Sequence, residues 1–199
     1  MNFLAHAYLS FGQPDILAGN MISDFVKGKK QYDYSPMIQK GIRLHRAIDT
    51  FTDEHPATKE INRFFRPAYR LYSGAFTDIV YDYFLANDKD EFESADNLEF
   101  FSRKVYTQLE QNMQALPLEF RAIFPHMRQH NWLYNYRTTE GIAKSFNGMV
   151  SRAKYMNESG TAYSIFINNL PAMQHFYQDF FPMLKIHAAT TLEGLLNTD

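Results

Sequence analysis

Residues 41–56, GIRLHRAIDTFTDEHP, set His45, Asp49 and Asp53 four apart, the spacing that lines up side chains on one face of an α-helix. Imidazole and carboxylate in one stripe can pair with each other, move protons or hold a divalent cation. With about 100° per residue and Ile38 as origin, Ile42 falls at about +40°, Asp49 at about +20° and His45 at about −20°. Both polar groups therefore stand among core-facing positions, with Ile48 and Gly41 on the same arc. Asp53 lies about 60° round, at the rim, beside Arg46 at about 80°. A buried carboxylate without a partner costs several kcal/mol or takes up a proton, so this pattern requires compensation. Taken alone, it is met by His45 pairing with Asp49 or by a salt bridge to an arginine.

Three further segments add inward polar groups. LYSGAFTDIVYDYFLA (71–86) carries Asp78 and Asp82 four apart on a seam with Leu71, Ala75, Tyr81 and Leu85, Gly74 close by. GNMISDF (19–25) carries Asn20 and Asp24 at the same spacing, and NFLAHAYL (2–9) sets His6 among Phe3, Leu4, Ala7 and Leu9. Two histidines and at least four aspartates from four helices thus aim inward, and neighbouring carboxylates stay ionised together only beside positive charge. Two readings follow: an interior divalent-metal site, or a buried salt-bridge network using Arg43, Arg46 or Arg152. For a metal, imidazole and oxygen donors without thiolate favour Mn²⁺ or Mg²⁺ over a structural zinc.

Other motifs read more plainly. His126 and His130 have helical spacing but no inward acid beside them, which suits a solvated pair. Trp132, Tyr134 and Tyr136 in NWLYNYR read as core or rim aromatics rather than a base-stacking platform. FNGMVSR (146–152) offers Asn147 and Arg152 to an acid, a phosphate or a structural contact. Neither a phosphate-cradling G-x-x-x-x-G-K-[ST] loop nor a G-x-S-x-G elbow is present, so nucleotide-loop ATPases and α/β-hydrolases lack support. Between Phe25 and Arg46 lie Lys27, Lys29, Lys30, Lys40, Arg43 and Arg46 against the single acid Asp33. This basic strip abuts Asp24 and His45, where it either steers an anionic partner or is an ordinary solvated face.

The elements that must position these groups are helical. Apolar periodicity predicts helices over 2–11, 14–26, 36–54, 57–70, 71–87, 96–115, 117–129, 138–153, 161–179 and 182–196, with Pro14, Pro36, Pro117 and Pro182 at starts. Residues 27–35 and 87–97 read as polar connectors, and no strand run or repeat appears. At 199 residues, 45% apolar and 21% charged, the chain is expected to form a compact all-α single domain, with 18 Phe and 13 Tyr giving a bulky aromatic core. The net charge of −2 speaks against a general nucleic-acid binder. The absence of cysteine excludes disulfides, thiolate metal sites and a cysteine nucleophile, and is compatible with a reducing compartment. Without a basic leader or a run long enough to cross a bilayer, the expected location is cytoplasmic and away from membranes; oligomeric state is not legible.

In this order, MNFLAHAYLS, GNMISDFVKG, GIRLHRAIDTFTDEHP, DIVYDYFLA, NWLYNYR, FNGMVSR and FFPML resemble the acyl carrier protein phosphodiesterase, or holo-acyl-carrier-protein hydrolase, family from Met1 to about Leu184. The resemblance implies an all-α fold distantly related to HD-domain metal-dependent phosphohydrolases, although the adjacent His-Asp pair of those enzymes is absent. It implies removal of 4′-phosphopantetheine from holo-acyl carrier protein with Mn²⁺ as the preferred metal, Mg²⁺ or another divalent ion being possible. Asp24 matches a position expected to be essential, and His6, His45, Asp49, Asp78 and Asp82 match inward polar positions. The expected ligands are His45, Asp49, Asp78 and Asp82 with His6 or Asp24 completing the set; Asp24, His45 and Asp49 are the expected catalytic groups. Lys27, Lys29, Lys30, Arg43, Arg46 and Arg152 are expected to meet the acidic carrier protein or its phosphate. The alternatives are an HD-like phosphohydrolase of nucleotides such as guanosine tetraphosphate, and a non-catalytic helical binding protein.

Overall fold

The computed structural model describes residues 1–197. Among them the regular structure is all helical: α1 (Phe3–Tyr8), α2 (Pro14–Ile22), α3 (Pro36–Glu54), α4 (Pro56–Tyr69), α5 (Ser73–Asn87), α6 (Ala95–Gln111), α7 (Leu118–Gln129), α8 (Trp132–Asn135), α9 (Thr139–Val150), α10 (Gly160–Asn168) and α11 (Leu170–Leu196), with short 3₁₀ turns between some of them. No helix among these residues is long and apolar enough to cross a membrane.

Local chemistry sets the boundaries. The Ser35 hydroxyl accepts from the Ile38 N–H and Pro36 opens α3, so a cap and a proline fix the helix that carries His45 and Asp49. Phe11 (φ 49°) and Gly12 (φ 72°) turn the chain between α1 and α2, which cuts the expected 2–11 helix at Tyr8. Pro182 does not start a helix. It sits inside α11, whose start signal is Pro171, and the buried Phe180, Phe181 and Leu184 on either side hold the helix through the missing N–H. The expected break near 180 therefore moves to Asn169.

Helices α2 and α3 touch backbone to backbone at paired glycines. A Cβ on Gly41 would stand 2.3 Å from the Ile16 carbonyl oxygen and 2.9 Å from the Gly19 Cα, and one on Gly19 would stand 2.1 Å from the Ile38 oxygen. Only glycine permits that approach, and it puts Asn20 opposite His45 one helical turn beyond Gly41. Aromatic rings fill the core between α4, α5, α9 and α11. Phe65 stacks on Phe76 at 5.4 Å, and Phe146 meets Phe76 edge-on at 5.1 Å. Tyr81, fully buried, stacks on Phe180 at 4.5 Å and shares a 2.9 Å hydrogen bond with the Thr58 hydroxyl.

Candidate metal centre

His6 from α1, Asn20 from α2 and His45 with Asp49 from α3 converge, and Asn20 organises them. Its Nδ2 donates to the His6 carbonyl (2.9 Å) and the Ser10 hydroxyl (3.1 Å), which leaves its Oδ1 to accept from His6 Nδ1 at 2.8 Å. Its backbone carbonyl accepts from His45 Nδ1 at 2.7 Å. One residue thereby fixes the tautomer and direction of both rings, leaving each Nε2 turned toward Asp49. His6 Nε2 lies 3.2 Å from Asp49 Oδ1, and His45 Nε2 lies 3.0 Å from Asp49 Oδ2 and 3.2 Å from Asp24 Oδ1. The two imidazoles stack, centroids 3.8 Å apart and planes within 13°.

Stacked rings cannot both carry charge cheaply. Burial and the neighbouring His45 charge press His6 down to about 4, so it is neutral at pH 7. Burial also opposes charge on His45, but hydrogen bonds to Asp24 and Asp49 outweigh it and raise this group to about 9. Asp49 is opposed by burial too, yet the Met1 ammonium and the histidines hold it far below the usual carboxylate range. The Met1 ammonium lies between Asp49 (3.2 Å) and Asp78 (3.1 Å); burial disfavours its charge, and the two acids outweigh this and raise it to about 11.

A cation fits this group. His6 Nε2 is buried and makes no hydrogen bond, although Asp49 Oδ1 is only 3.2 Å away. With Nδ1 as the donor of a neutral ring, Nε2 presents a lone pair to an oxygen that also only accepts, an arrangement that positive charge between them relieves. Ligand atoms of His6, His45 and Asp49 lie within 4.8 Å of one another, a span that one ion bonded at about 2.0–2.3 Å can bridge.

Residues 1–184 match the acyl carrier protein phosphodiesterase family. The chain belongs to that family. Relatives named acyl carrier protein phosphodiesterase occur in Yersinia pestis (31% identical, 94% of this chain and 97% of that protein) and Enterobacter sp. strain 638 (29%, 94% and 97%). Another of that name, from Photorhabdus laumondii, is 28% identical over 92% of this chain and 93% of that protein. No solved structure matches.

Within this family member, the expected site residues divide. His6, His45 and Asp49 form the compact group, and Asp24 adjoins it through His45 with its side chain 75% exposed, on the solvent side. The His45 hydrogen bond is the main influence holding Asp24 below its ordinary value. Asp78 stands off the group and binds the Met1 ammonium; burial raises its carboxyl. Asp82 stands apart from the compact group. Its two oxygens accept from the N–H groups of Leu4 (2.7 Å) and Ala5 (3.1 Å), so it caps the start of α1 while burial lifts it to about 7. Arg152 is also away from the acids, in a cleft beside Asn2.

The basic strip is real as a surface. Lys27, Lys29 and Lys30 are exposed on the 3₁₀ turn after Asp24, and Arg43 and Arg46 are exposed on α3. Arg46 donates to Gln31 Oε1 (2.8 Å) and the Val26 carbonyl (3.3 Å), tying this turn to α3. Among the described residues, the close contacts of Asp24, Asp49 and Asp78 with nitrogen bases go to histidines and the Met1 ammonium, and none goes to an arginine. Sequence reasoning missed the organising role of Asn20. A fully buried amide inside the apolar run ILAGNMI was the available signal, because such a group must find fixed partners. The Met1 charge gave none, since it belongs to the backbone.

Proposed function

We propose that the chain hydrolyses the phosphodiester joining 4′-phosphopantetheine to a serine of holo-acyl carrier protein, at a divalent ion, Mn²⁺ in our reading, held by His6, His45 and Asp49. Family membership supplies the reaction, and the observation that carries the site is the partnerless His6 Nε2 facing a carboxylate oxygen. A bound divalent ion supplies positive charge that polarises a phosphodiester and acidifies water. The chain's own residues do the rest. Asn20 holds both imidazoles by Nδ1 so that both Nε2 atoms point the same way. Asp24, ionised and on the solvent side, takes the proton of the attacking water in this reading; the P–O bond to the carrier serine breaks and that oxygen regains a proton from the acid so formed or from solvent. Asp78 and Asp82 stay outside the ligand set and keep the start of α1 and the Met1 ammonium in place.

Lys27, Lys29, Lys30, Arg43 and Arg46 dock the acidic carrier beside Asp24, where complementary charge steers encounter. We place this work in the cytoplasm, a reducing compartment that suits a chain without cysteine. The test is intact-mass analysis of holo-carrier protein incubated with the purified chain, with and without Mn²⁺. The expected result is metal-dependent loss of the phosphopantetheine mass and appearance of the apo-carrier. Unchanged holo-carrier beside turnover of a nucleotide such as guanosine tetraphosphate would overturn the assignment.

A further inference from the structure

A cleft of about 580 Å³ opens beside the start of α1, walled by α7, α8 and α9. That size is within the range of small-molecule sites. Two segments that contribute nothing to the metal centre, NWLYNYR and FNGMVSR, both line it, through Trp132, Asn135 and Tyr136 from one and Gly148 and Arg152 from the other.

We infer that this cleft holds the pantetheine arm of the substrate while its phosphate lies at the metal centre. The inference rests on the reaction proposed above and adds the subsite that reads the arm. The chemistry of the arm is a gem-dimethyl pantoyl unit, two amides and a terminal thiol, joined to a phosphate dianion once cleaved. The cleft offers a matching series. Phe3, Ile79, Ile123 and Trp132 give an apolar wall for methyl and methylene groups, with Phe3 and Trp132 ring centroids 6.3 Å apart. Asn2, Asn135 and Ser145 bring amide and hydroxyl groups suited to the arm's amides. Lys144 and Arg152, both exposed, complete the polar side of the lining.

Along the chain, the cleft lining adjoins residues of the metal centre. Asn2 and Ile79, which line it, directly follow Met1 and Asp78, and the Met1 ammonium touches Asp49 and Asp78. The basic strip on the 3₁₀ turn and α3 is left for the carrier protein itself.

Gly148 makes the test clean. It is helical and lines the cleft, and a Cβ there meets only Arg152 Nη1, at 3.8 Å, so a side chain can start from this position and Gly148→Phe is chosen to fill the cleft. Calorimetry with D-pantetheine, which lacks the phosphate, isolates the subsite from the metal centre. The wild-type chain is expected to bind it, and Gly148→Phe to bind at least about tenfold more weakly while its Mn²⁺-dependent rise in melting temperature stays as in wild type. Trp132→Ala, which strips the wall instead of filling the space, is the second variant and is expected to weaken binding similarly. Equal pantetheine affinity in wild type and variants, or no binding to the wild type at millimolar concentration, overturns the subsite. The two readings fail differently. Release of phosphopantetheine from holo-carrier with kcat/KM unchanged in Gly148→Phe and Trp132→Ala sinks the cleft and spares the reaction. Pantetheine binding that the variants lose, without any release by the wild type, sinks the reaction and spares the cleft.

Discussion

Metal uptake must compete with a proton on His45, and the structure sets the size of that competition. In the metal-free protein His45 is charged at pH 7 because Asp24 and Asp49 accept from its ring, and its ordinary value of 6.5 rises to about 9. A folded value above the unfolded one means stability that is fully present below about pH 6.5 and is lost as pH rises through about 9, roughly 3 kcal/mol in all. A metal on Nε2 requires the neutral ring, so below about pH 9 each unit of falling pH should weaken apparent affinity about tenfold. His6, pressed down to about 4, is already neutral and adds nothing to this slope between pH 6.5 and 8.5. Mn²⁺ affinity measured by calorimetry at pH 6.5, 7.5 and 8.5 should therefore rise about a hundredfold across the series. Repeating pH 7.5 in two buffers of different ionisation enthalpy should show about one proton released per ion. Affinity that is flat over this window, with no proton released, refutes His45 as a ligand.

Two aspartates that look alike in sequence should part in a thermal melt. Asp82→Ala leaves the buried N–H groups of Leu4 and Ala5 without an acceptor while relieving a buried carboxyl, a net loss of about 1–4 kcal/mol, or roughly 2–16 °C, and keeps the Mn²⁺-dependent rise. Asp49→Ala should abolish that rise, and loss of the rise in Asp82→Ala instead would return Asp82 to the ligand set. Asn20→Ala removes the acceptor that holds His6 Nδ1 and should weaken Mn²⁺ binding about 10- to 100-fold by calorimetry; an unchanged affinity would show that the ring needs no such guide. Gly41→Ala forces a Cβ to within 2.3 Å of the Ile16 oxygen, so α2 and α3 must separate, at a cost of about 1–3 kcal/mol in chemical denaturation and with weaker Mn²⁺ binding because Asn20 and His45 move apart.

How much of this was legible depended on whether a group's role follows from its own helix. The inward stripe of His45 and Asp49 did, because periodicity fixes a face, and so did α3, which carries both a cap and a proline. The division between Asp49 and Asp82 did not, because both stand on apolar faces at i, i+4 spacing and only the partner helix distinguishes them. Opposite Asp49 stand imidazole nitrogens held by Asn20; opposite Asp82 stand the first free N–H groups of α1. Pro182 teaches the same lesson in the backbone. A proline is a start signal only where nothing else holds the preceding turn, and here Phe180, Phe181 and Leu184 are buried on both sides of it.

The site then has a consistent electrostatic logic. Four carboxylates near one another need compensating charge, and three sources supply it: Asp24 and Asp49 take the His45 imidazolium, Asp49 and Asp78 share the Met1 ammonium, and Asp82 takes the backbone dipoles of α1. Of the polar atoms in this group, His6 Nε2 is left without a donor, and it is the atom least able to find one, since Asn20 already fixes its tautomer. A salt-bridge network built for stability alone would gain by rotating that amide or replacing that ring with an apolar side chain. Keeping a buried lone pair aimed at a carboxylate makes sense when a cation is to sit between them, and this argues for reading the inward acid of α3 as part of a metal centre rather than of the packing.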